Sequence, residues 1–191
     1  PDTEPDTVLR IEDPVQMTYT SGTEALPKGV IINNQALMAQ YMGAIIDGGY
    51  SDDDIQVNAL PIYHCAQRDV FLNPLFWLGG TNILIAPDIG QILRSIEEYR
   101  ATIFFAPPTV WIGMLRHPDF DKRDIKSLKK CYYGASIMPV EILKEMLLRL
   151  PGAQIYNYYG QTELAPYHTI LKAKDALKKL GSAGMGGLNM E

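Results

Sequence analysis

The sequence predicts an α/β protein with a mostly parallel β-sheet and covering helices. From about residue 80 onward, short apolar runs that favour β-strands alternate with apolar patterns of helical period. Strand–helix units of this length imply parallel pairing, with the helices packed over the sheet. A hydrophobic content of 47% is sufficient for a core of this kind.

The first part of the chain predicts a hairpin followed by two helices and a further strand. In order, the pattern indicates strands at 15–20 and 29–33, a helix at 34–46, a strand at 55–61 and a helix at 64–78 that is interrupted at Pro74. Residues 1–14 are acidic and rich in proline, so we interpret them as a linker or domain entry and 15–191 as the domain.

The second part alternates strands and helices more regularly. Strands are predicted at 81–86, 102–106, 130–134 and 154–160, with a helix after each of the first three. Asp88 and Gln91 form a capping-box pattern at the start of the first of these helices. Pro139 suits the first turn of the last helix, and Gly152 is placed to end it.

Charge and cysteine content exclude several classes of protein. The net charge is −5, which argues against a general nucleic-acid binder. Cys65 and Cys131 are too few for a disulfide framework, and their spacing does not suit a metal site. We therefore interpret both as ordinary buried or half-buried thiols, and we expect a cytoplasmic protein. Since no apolar run reaches about 18 residues, we expect no transmembrane segment. The oligomeric state stays open, a homodimer included.

The loop between the first two predicted strands, "YTSGTEALPKGV", has the composition of a phosphate-binding loop without the Walker pattern. Thr20, Ser21 and Thr23 offer hydroxyls, and Gly22 lets backbone N–H groups approach an anion. Lys28 supplies a compact positive charge. These residues suit a polyphosphate clamp, although a solvated hairpin turn with a surface lysine has the same composition.

A second stretch, "YNYYGQTE", ends the last predicted strand. Tyr159 offers a flat face for a purine, and Thr162 can donate to a phosphate oxygen. Glu163 beside phosphate would need a divalent cation between them, for which Mg²⁺ is the usual solution. An edge strand with exposed tyrosines and a glutamate at a helix entry is the alternative. Because ligand sites lie outside the carboxyl ends of parallel strands, we expect residues 20–29, 134–136 and 160–163 to meet.

Both stretches resemble motifs of the adenylate-forming (AMP-binding) enzymes, most closely those of acyl-CoA synthetases. "YTSGTEALPKGV" resembles the family's TSGTTGxPKG motif, and "NYYGQTE" resembles its YGxTE motif. Segments that follow the family's order extend the resemblance from about residue 15 to 190: "LPIYH", "GGTNIL", "APPTVW", "YYGAS" and "GSAGMGG". The resemblance implies part of the large N-terminal domain of such an enzyme.

The resemblance also implies roles for particular residues. The β- and γ-phosphates of ATP would be clamped by Ser21, Gly22, Thr23 and Lys28, with Thr20 at the start of the loop. The adenine would lie on Tyr159, in a pocket of Gly134, Ala135, Ser136 and Gly160. Thr162 would contact the α-phosphate, Glu163 would hold Mg²⁺, and His64 would lie near the substrate carboxylate. His64 can equally be a polar residue that merely starts a helix.

The resemblance implies ATP-dependent activation of a carboxylic acid to acyl-AMP, followed by transfer to CoA. We expect a medium or long fatty acid, with Phe71, Leu75, Trp77 and Trp111 either in the core or lining an apolar pocket. We also expect this chain to be the central portion of a longer enzyme and inactive alone. Glu24-Ala25 replaces the family's Thr-Gly. This replacement leaves open a degenerate nucleotide-binding domain, and an adenylation module that loads a carrier-protein thiol is a second alternative.

Overall fold

The computed structural model describes residue 3, residues 6–20 and residues 26–190. The strands are β1 (Pro14–Thr20), β2 (Lys28–Asn33), β3 (Ile55–Asn58), β4 (Thr81–Leu84), β5 (Ile103–Phe105), β6 (Lys130–Gly134), β7 (Gln154–Gly160), β8 (Tyr167–Leu171) and β9 (Met185–Gly186). The α-helices are α1 (Asn34–Gly48), α2 (Asn73–Leu78), α3 (Ile89–Glu98), α4 (Pro108–Arg116) and α5 (Val140–Arg149). A π-helix spans Ala66–Leu72, and 3₁₀ turns span Thr162–Leu164 and Ala173–Asp175.

A seven-stranded sheet forms the centre of the described part of the chain, in the order β4-β3-β5-β6-β7-β8-β9. Neighbours from β4 to β7 are parallel, and β8 and β9 add antiparallel strands at one side. The predicted fold class, a mostly parallel sheet with covering helices, is confirmed. Strands β1 and β2 form a separate antiparallel hairpin, also as predicted.

Helices cover both faces of the sheet because alternate strand residues point to opposite sides. On one face, α3, α4 and α5 pack over residues such as Phe104 and Cys131. On the other face, α1 and the π-helix pack over residues such as Phe105 and Tyr132. In the part of the chain that the structure describes, no helix is long and apolar enough to cross a membrane.

The helix ends follow the local chemistry that the sequence indicates. Asp88 caps α3, because its Oδ1 accepts a hydrogen bond from the Gln91 backbone N–H at 2.7 Å. Pro139 lies just before α5 rather than inside its first turn. Gly152 follows the end of α5 with a φ of 91°, a left-handed conformation that glycine adopts without steric cost.

Four elements differ from the sequence prediction: one strand, one helix and two further strands. Strand β3 ends at Asn58 instead of 61, where the chain leaves the sheet in a turn. The helix predicted at 64–78 is two consecutive helices: the π-helix ends at Leu72, and Pro74 then lies in the first turn of α2, where its missing N–H is tolerated. Strands β8 and β9 were not predicted. Each is short, and β8 follows Pro166, a residue typical of loops.

Of the four apolar residues that we predicted to lie either in the core or in a pocket, three are buried. Leu75 and Trp111 are fully buried, which favours the core interpretation for both, whereas Phe71 is buried in a core cluster and also lines a cavity described below. Trp111 also donates its indole N–H to the Tyr132 carbonyl at 3.0 Å, so its one polar atom is satisfied. Trp77 differs, since 54% of it is exposed and its ring lies tilted by 53° to that of Tyr41, with 6.4 Å between the ring centroids.

A polar cluster holds the amino ends of three parallel strands together. The Lys130 Nζ lies 2.5 Å from Asp54 Oδ2, and both side chains are largely buried. Asp54 also accepts hydrogen bonds from the Thr102 hydroxyl at 2.7 Å and from the Ser51 backbone N–H at 2.8 Å. These residues precede or begin β3, β5 and β6, so the cluster lies at the edge of the sheet opposite the carboxyl ends.

Candidate functional site

Two loops converge at the carboxyl ends of β6 and β7. The strands are parallel neighbours, with Gly134 paired to Tyr158, so the loops that follow them leave the sheet side by side. Together with His64 they enclose a cavity of about 260 Å³, hereafter the His64 cavity. Of the residues predicted to bind ligand, this cavity is lined by His64, Gly134, Ala135, Tyr159, Gly160 and Thr162.

A second cavity adjoins the first. Its volume is about 330 Å³, and it is lined by Ser136, Asn157 and Ser182 among others. We call it the Ser136 cavity. Ala135, Tyr159 and Gly160 belong to the walls of both cavities. The convergence expected for residues 134–136 and 160–163 is therefore observed for 134–136 and 160–162, whereas the described residues of the 20–29 segment, 20 and 26–29, line neither cavity. The two cavities share the wall around Tyr159, and we call them together the cleft.

Glycine is required at two points of this cleft by close backbone approach. A Cβ on Gly134 would lie 2.5 Å from the Tyr158 carbonyl oxygen, and one on Gly160 would lie 1.7 Å from that of Pro166. Ala135 adopts a left-handed φ of 66°, which turns the chain sharply out of β6. The loops are therefore held close to the sheet, and their backbone forms part of the cavity walls.

Tyr159 is presented to solvent by the alternation of β7. Its neighbour Tyr158 points into the core, where its hydroxyl donates to the Ala44 carbonyl at 3.3 Å. Tyr159 points the other way and is 45% exposed. Its hydroxyl accepts from the Gln161 side chain at 3.1 Å, which orients the ring. Because β7 lies between β6 and β8, the alternative that it is an edge strand is wrong.

His64 is exposed at the mouth of its cavity. Its Nδ1 accepts a hydrogen bond from the Ala66 backbone N–H at 3.2 Å. In a neutral imidazole the other nitrogen, Nε2, then carries the proton and can act as a donor. A donor at this place suits a carboxylate. The residue does precede the π-helix, so its position also agrees with the simpler interpretation of a polar helix start.

The hairpin presents Thr20 and Lys28 on one face. They are paired across the two strands, and alternation places them on the same side as Thr18 and Ile32. Thr18 and Ile32 are buried, whereas residues of the other face such as Tyr19 are exposed. Thr20 and Lys28 therefore lie on the face that turns toward the rest of the domain. The predicted ligands Ser21, Gly22 and Thr23 lie outside the described residues.

Glu163 lies on the same side of the domain as the hairpin. It is exposed in the Thr162–Leu164 turn, which contacts β2, and it shares a shallow cavity with Glu12 and Asn33. Asn33 and Lys28 are at opposite ends of β2, about 17 Å apart at the usual rise per residue. The structure thus brings Glu163 to the base of the hairpin and places Lys28 toward its tip.

Cys65 is a site residue that sequence reasoning missed, since we interpreted it as an ordinary thiol. It is buried and free, as is Cys131. However, it lines the His64 cavity, and its Sγ lies 3.3 Å from the Thr162 hydroxyl. The contact joins two segments of the predicted site. Its only sequence signal is the position directly after His64.

The two thiols are expected to react slowly with iodoacetamide, and Cys65 before Cys131. Burial raises the pKa of Cys65, while a hydrogen bond with Thr162 opposes that shift. Burial raises the pKa of Cys131 to about 12. Because the thiolate is the reactive form, labelling should accelerate as pH rises. At pH 8 a thiol with that pKa is ionised in about one molecule in ten thousand.

Labelling of the folded protein between pH 7 and 9, followed by peptide mass spectrometry, measures both rates. Labelling of the denatured chain is the control, since the two rates should there become similar. Faster reaction at Cys131 than at Cys65 in the folded state would contradict the burial that we describe.

The sheet and its cleft define an open α/β protein with a cleft at the carboxyl ends of parallel strands, the place where proteins of this architecture bind ligands. The sequence model of the family described as AMP-binding enzyme matches residues 1–191. The chain therefore belongs to the AMP-binding enzyme family.

Individual relatives agree with this assignment. The chain is 30% identical over 185 residues to a feruloyl-CoA synthase from Amycolatopsis sp, covering 96% of this chain and 37% of the relative. It is 33% identical over 172 residues to the medium/long-chain-fatty-acid–CoA ligase FadD8 of Mycobacterium tuberculosis, covering 89% and 30%. The chain thus spans about a third of the length of these curated relatives.

A solved structure shows the same fold. The N-terminal domain of FACL13 from Mycobacterium tuberculosis, determined with a bound inhibitor, superposes with a TM-score of 0.85. The two chains are 26% identical, and the match covers 93% of this chain and 44% of the other. The predicted family, and the predicted place of the chain in an N-terminal domain of this fold, are confirmed.

Proposed function

We propose that this chain is the central nucleotide-binding portion of an ATP-dependent carboxylate–CoA ligase. The observation that carries the proposal is the cleft in which the loops after β6 and β7 meet His64. In this cleft, residues 159–162 of the YGxTE-like motif lie beside His64. His64 belongs to the segment that resembles the family's region near the substrate carboxylate. Relatives named as CoA synthases and CoA ligases support CoA as the acceptor.

The reaction that we propose has two steps. A carboxylate oxygen attacks the α-phosphorus of ATP, the bond to pyrophosphate breaks, and an acyl-AMP forms. The CoA thiolate then attacks the acyl carbonyl, and AMP leaves. Thr162 would donate to the α-phosphate, and Lys28 would neutralise the departing pyrophosphate. Positioning and charge neutralisation of this kind can supply most of the acceleration.

Mg²⁺ fits this arrangement through Glu163. Among the described residues, no group of three or more His, Cys, Asp or Glu side chains is placed to hold a metal ion. A magnesium ion here would therefore depend on one or two carboxylates together with phosphate oxygens, which is its usual coordination. Glu163 is exposed at the base of the hairpin, and Glu12 lines the same cavity. When bound, the metal would neutralise phosphate charge.

The acid is proposed to be hydrophobic. The inner wall of the His64 cavity is formed by Val70, Phe71, Phe105 and Tyr167, all of which are buried. One relative is named for a feruloyl product and another for medium- and long-chain fatty acids. We propose a medium or long fatty acid as the substrate, with aryl acids as the alternative.

Two free buried thiols agree with the proposed cytoplasmic location.

The test is pyrophosphate release by the full protein that contains this chain, with ATP, Mg²⁺ and a panel of fatty and aryl acids. We expect release with hydrophobic acids and conversion of the adenylate to a thioester when CoA is added. Adenylate formation without use of CoA would favour the module that loads a carrier-protein thiol. Absence of both release and MgATP binding would favour a degenerate nucleotide-binding domain and contradict the proposal.

Glu163→Gln is expected to raise the Mg²⁺ concentration for half-maximal pyrophosphate release about tenfold. The substitution keeps the shape of the side chain but removes the negative charge, and a tenfold change matches the loss of one charge-assisted contact. Titration of Mg²⁺ at fixed ATP measures it. Glu141→Gln is the matched control, because Glu141 is an exposed glutamate on α5 that pairs with Lys144. Equal magnesium dependence in both variants would refute the role of Glu163.

A further inference from the structure

A buried polar cluster joins the hairpin to the π-helix. It consists of Gln16, Thr18, Arg68 and Asp69, and we call it the hairpin cluster. Asp69 is fully buried. Its carboxylate accepts two hydrogen bonds from the Arg68 guanidinium, both at 2.9 Å, and one from the Gln16 side-chain amide at 2.8 Å. Arg68 also donates to the Thr18 hydroxyl at 3.1 Å. The carboxylate is thus shared between two elements that are far apart in sequence.

The hairpin is joined to the rest of the domain at its base and by side-chain contacts farther along its strands. Its strands form a sheet of their own, separate from the seven-stranded sheet. At its base, β2 runs directly into α1, and the Asn33 side chain caps that helix. Toward its tip, Gln16 and Thr18 extend from the same face as Thr20, at intervals of two residues. The hairpin cluster therefore lies between the base of the hairpin and its Thr20–Lys28 end.

The other half of the cluster is tied to the His64 cavity. Arg68 and Asp69 lie in the π-helix, which starts directly after Cys65, and the Arg68 backbone N–H donates to the His64 carbonyl at 3.3 Å. Segments of π-helix are rare and frequently occur at functional sites. A series of hydrogen bonds thus runs from the face of β1 to the segment that carries His64 and Cys65.

A buried ion pair contributes little net stability compared with apolar residues of similar size. Its best-supported benefit is to specify one arrangement over others. We propose that the hairpin cluster is a positioning device that fixes where the Thr20–Lys28 end of the hairpin lies relative to the His64 cavity. The inference rests on the proposed function, because ATP would then have to contact the hairpin and the cavity at the same time. Gln16, Thr18, Arg68 and Asp69 are positioning residues, since they act through Thr20 and Lys28.

The test is the double variant Gln16→Leu/Thr18→Val in the full protein. It removes both hairpin contacts but leaves the Arg68–Asp69 pair intact, so no buried charge loses its partner. We expect the Kd for MgATP and the KM for ATP in adenylate formation to rise about tenfold, comparable to the loss of one or two hydrogen bonds. The second step, started from isolated acyl-adenylate and CoA, should keep its rate. A purely structural role would affect both steps alike.

Two further variants control the experiment. Met17→Leu changes the exposed face of the same strand, where 54% of the methionine is accessible, and it should match the wild type. Thr18→Ser combined with Gln16→Leu retains the hydroxyl and should restore part of the ATP affinity that the double variant loses. Thermal unfolding of each variant is followed in parallel.

The possible outcomes separate the two proposals. Unchanged ATP affinity in the double variant, or an equal loss in both steps, would overturn the positioning role while leaving the ligase function standing. An equal loss of ATP affinity in Met17→Leu would overturn it as well. A wild-type protein that forms no adenylate would overturn the proposed function, and the positioning role with it.

Discussion

Lys28→Ala is expected to lower the rate of acyl-adenylate formation about a hundredfold, in the range found when one preorganised donor is removed from a transition state. Lys28 begins β2 opposite Thr20, on the face of the hairpin that turns toward the rest of the domain. An ammonium group at this place would meet the negative charge that develops on the leaving pyrophosphate. Alanine keeps the strand but removes that charge, so the effect should fall on the first step of the reaction.

Rapid-quench measurement of acyl-adenylate with saturating acid determines this rate. Lys129→Ala is the matched control: Lys129 is exposed just before β6, at the opposite edge of the sheet, and its loss should change the rate less than twofold. The second step, from isolated adenylate, should be unaffected in both variants. A loss below threefold for Lys28→Ala would remove this residue from the proposed site.

Lys130→Met is expected to reduce the free energy of unfolding by about 3–5 kcal/mol, the typical consequence of removing one partner of a buried ion pair. Lys130 lies 2.5 Å from Asp54, and their side chains are only 16% and 6% exposed. Methionine fills a similar volume but leaves the Asp54 carboxylate buried without its cation. Thr102 and Ser51 would still donate to that carboxylate, and they cannot neutralise it.

Urea denaturation followed by tryptophan fluorescence measures this change, since Trp111 is fully buried. Arg100→Met is the matched control, because the Arg100–Asp124 pair has a similar length but is 59% and 53% exposed. Breaking an exposed pair should change stability by about 0–1 kcal/mol. Adding Asp54→Asn to Lys130→Met should recover part of the loss. Equal destabilisation by the two single variants would contradict the argument from burial.

The strands that flank the cleft were predictable because their sequence signals are local. β6 and β7 occupy the predicted residues 130–134 and 154–160, since each is a short apolar run that ends in glycine. The rule that ligands lie beyond the carboxyl ends of parallel strands then placed Tyr159 and Thr162 beside Ala135. The π-helix was not predictable in the same way, because apolar spacing alone does not distinguish it from an α-helix.

Contacts between distant segments were the part that the sequence could not provide. The Cys65–Thr162 contact joins residues 97 positions apart, and the Gln16–Asp69 hydrogen bond joins residues 53 positions apart. Neither pair has a local pattern, since each side chain also suits an ordinary buried or surface position. Such contacts depend on how the hairpin and the π-helix pack, which only the three-dimensional arrangement defines.

The two ends of the parallel strands differ in what their residues do. The Asp54–Lys130 cluster secures one end, whereas the cleft around Tyr159 opens at the other. If the proposed function holds, substitutions in the loops of the cleft would alter which acid is accepted without loosening the framework beneath them. The loops can thus change in sequence while the framework of the sheet stays the same. This separation offers a physical reason why one relative is named for a feruloyl product and another for medium- and long-chain fatty acids.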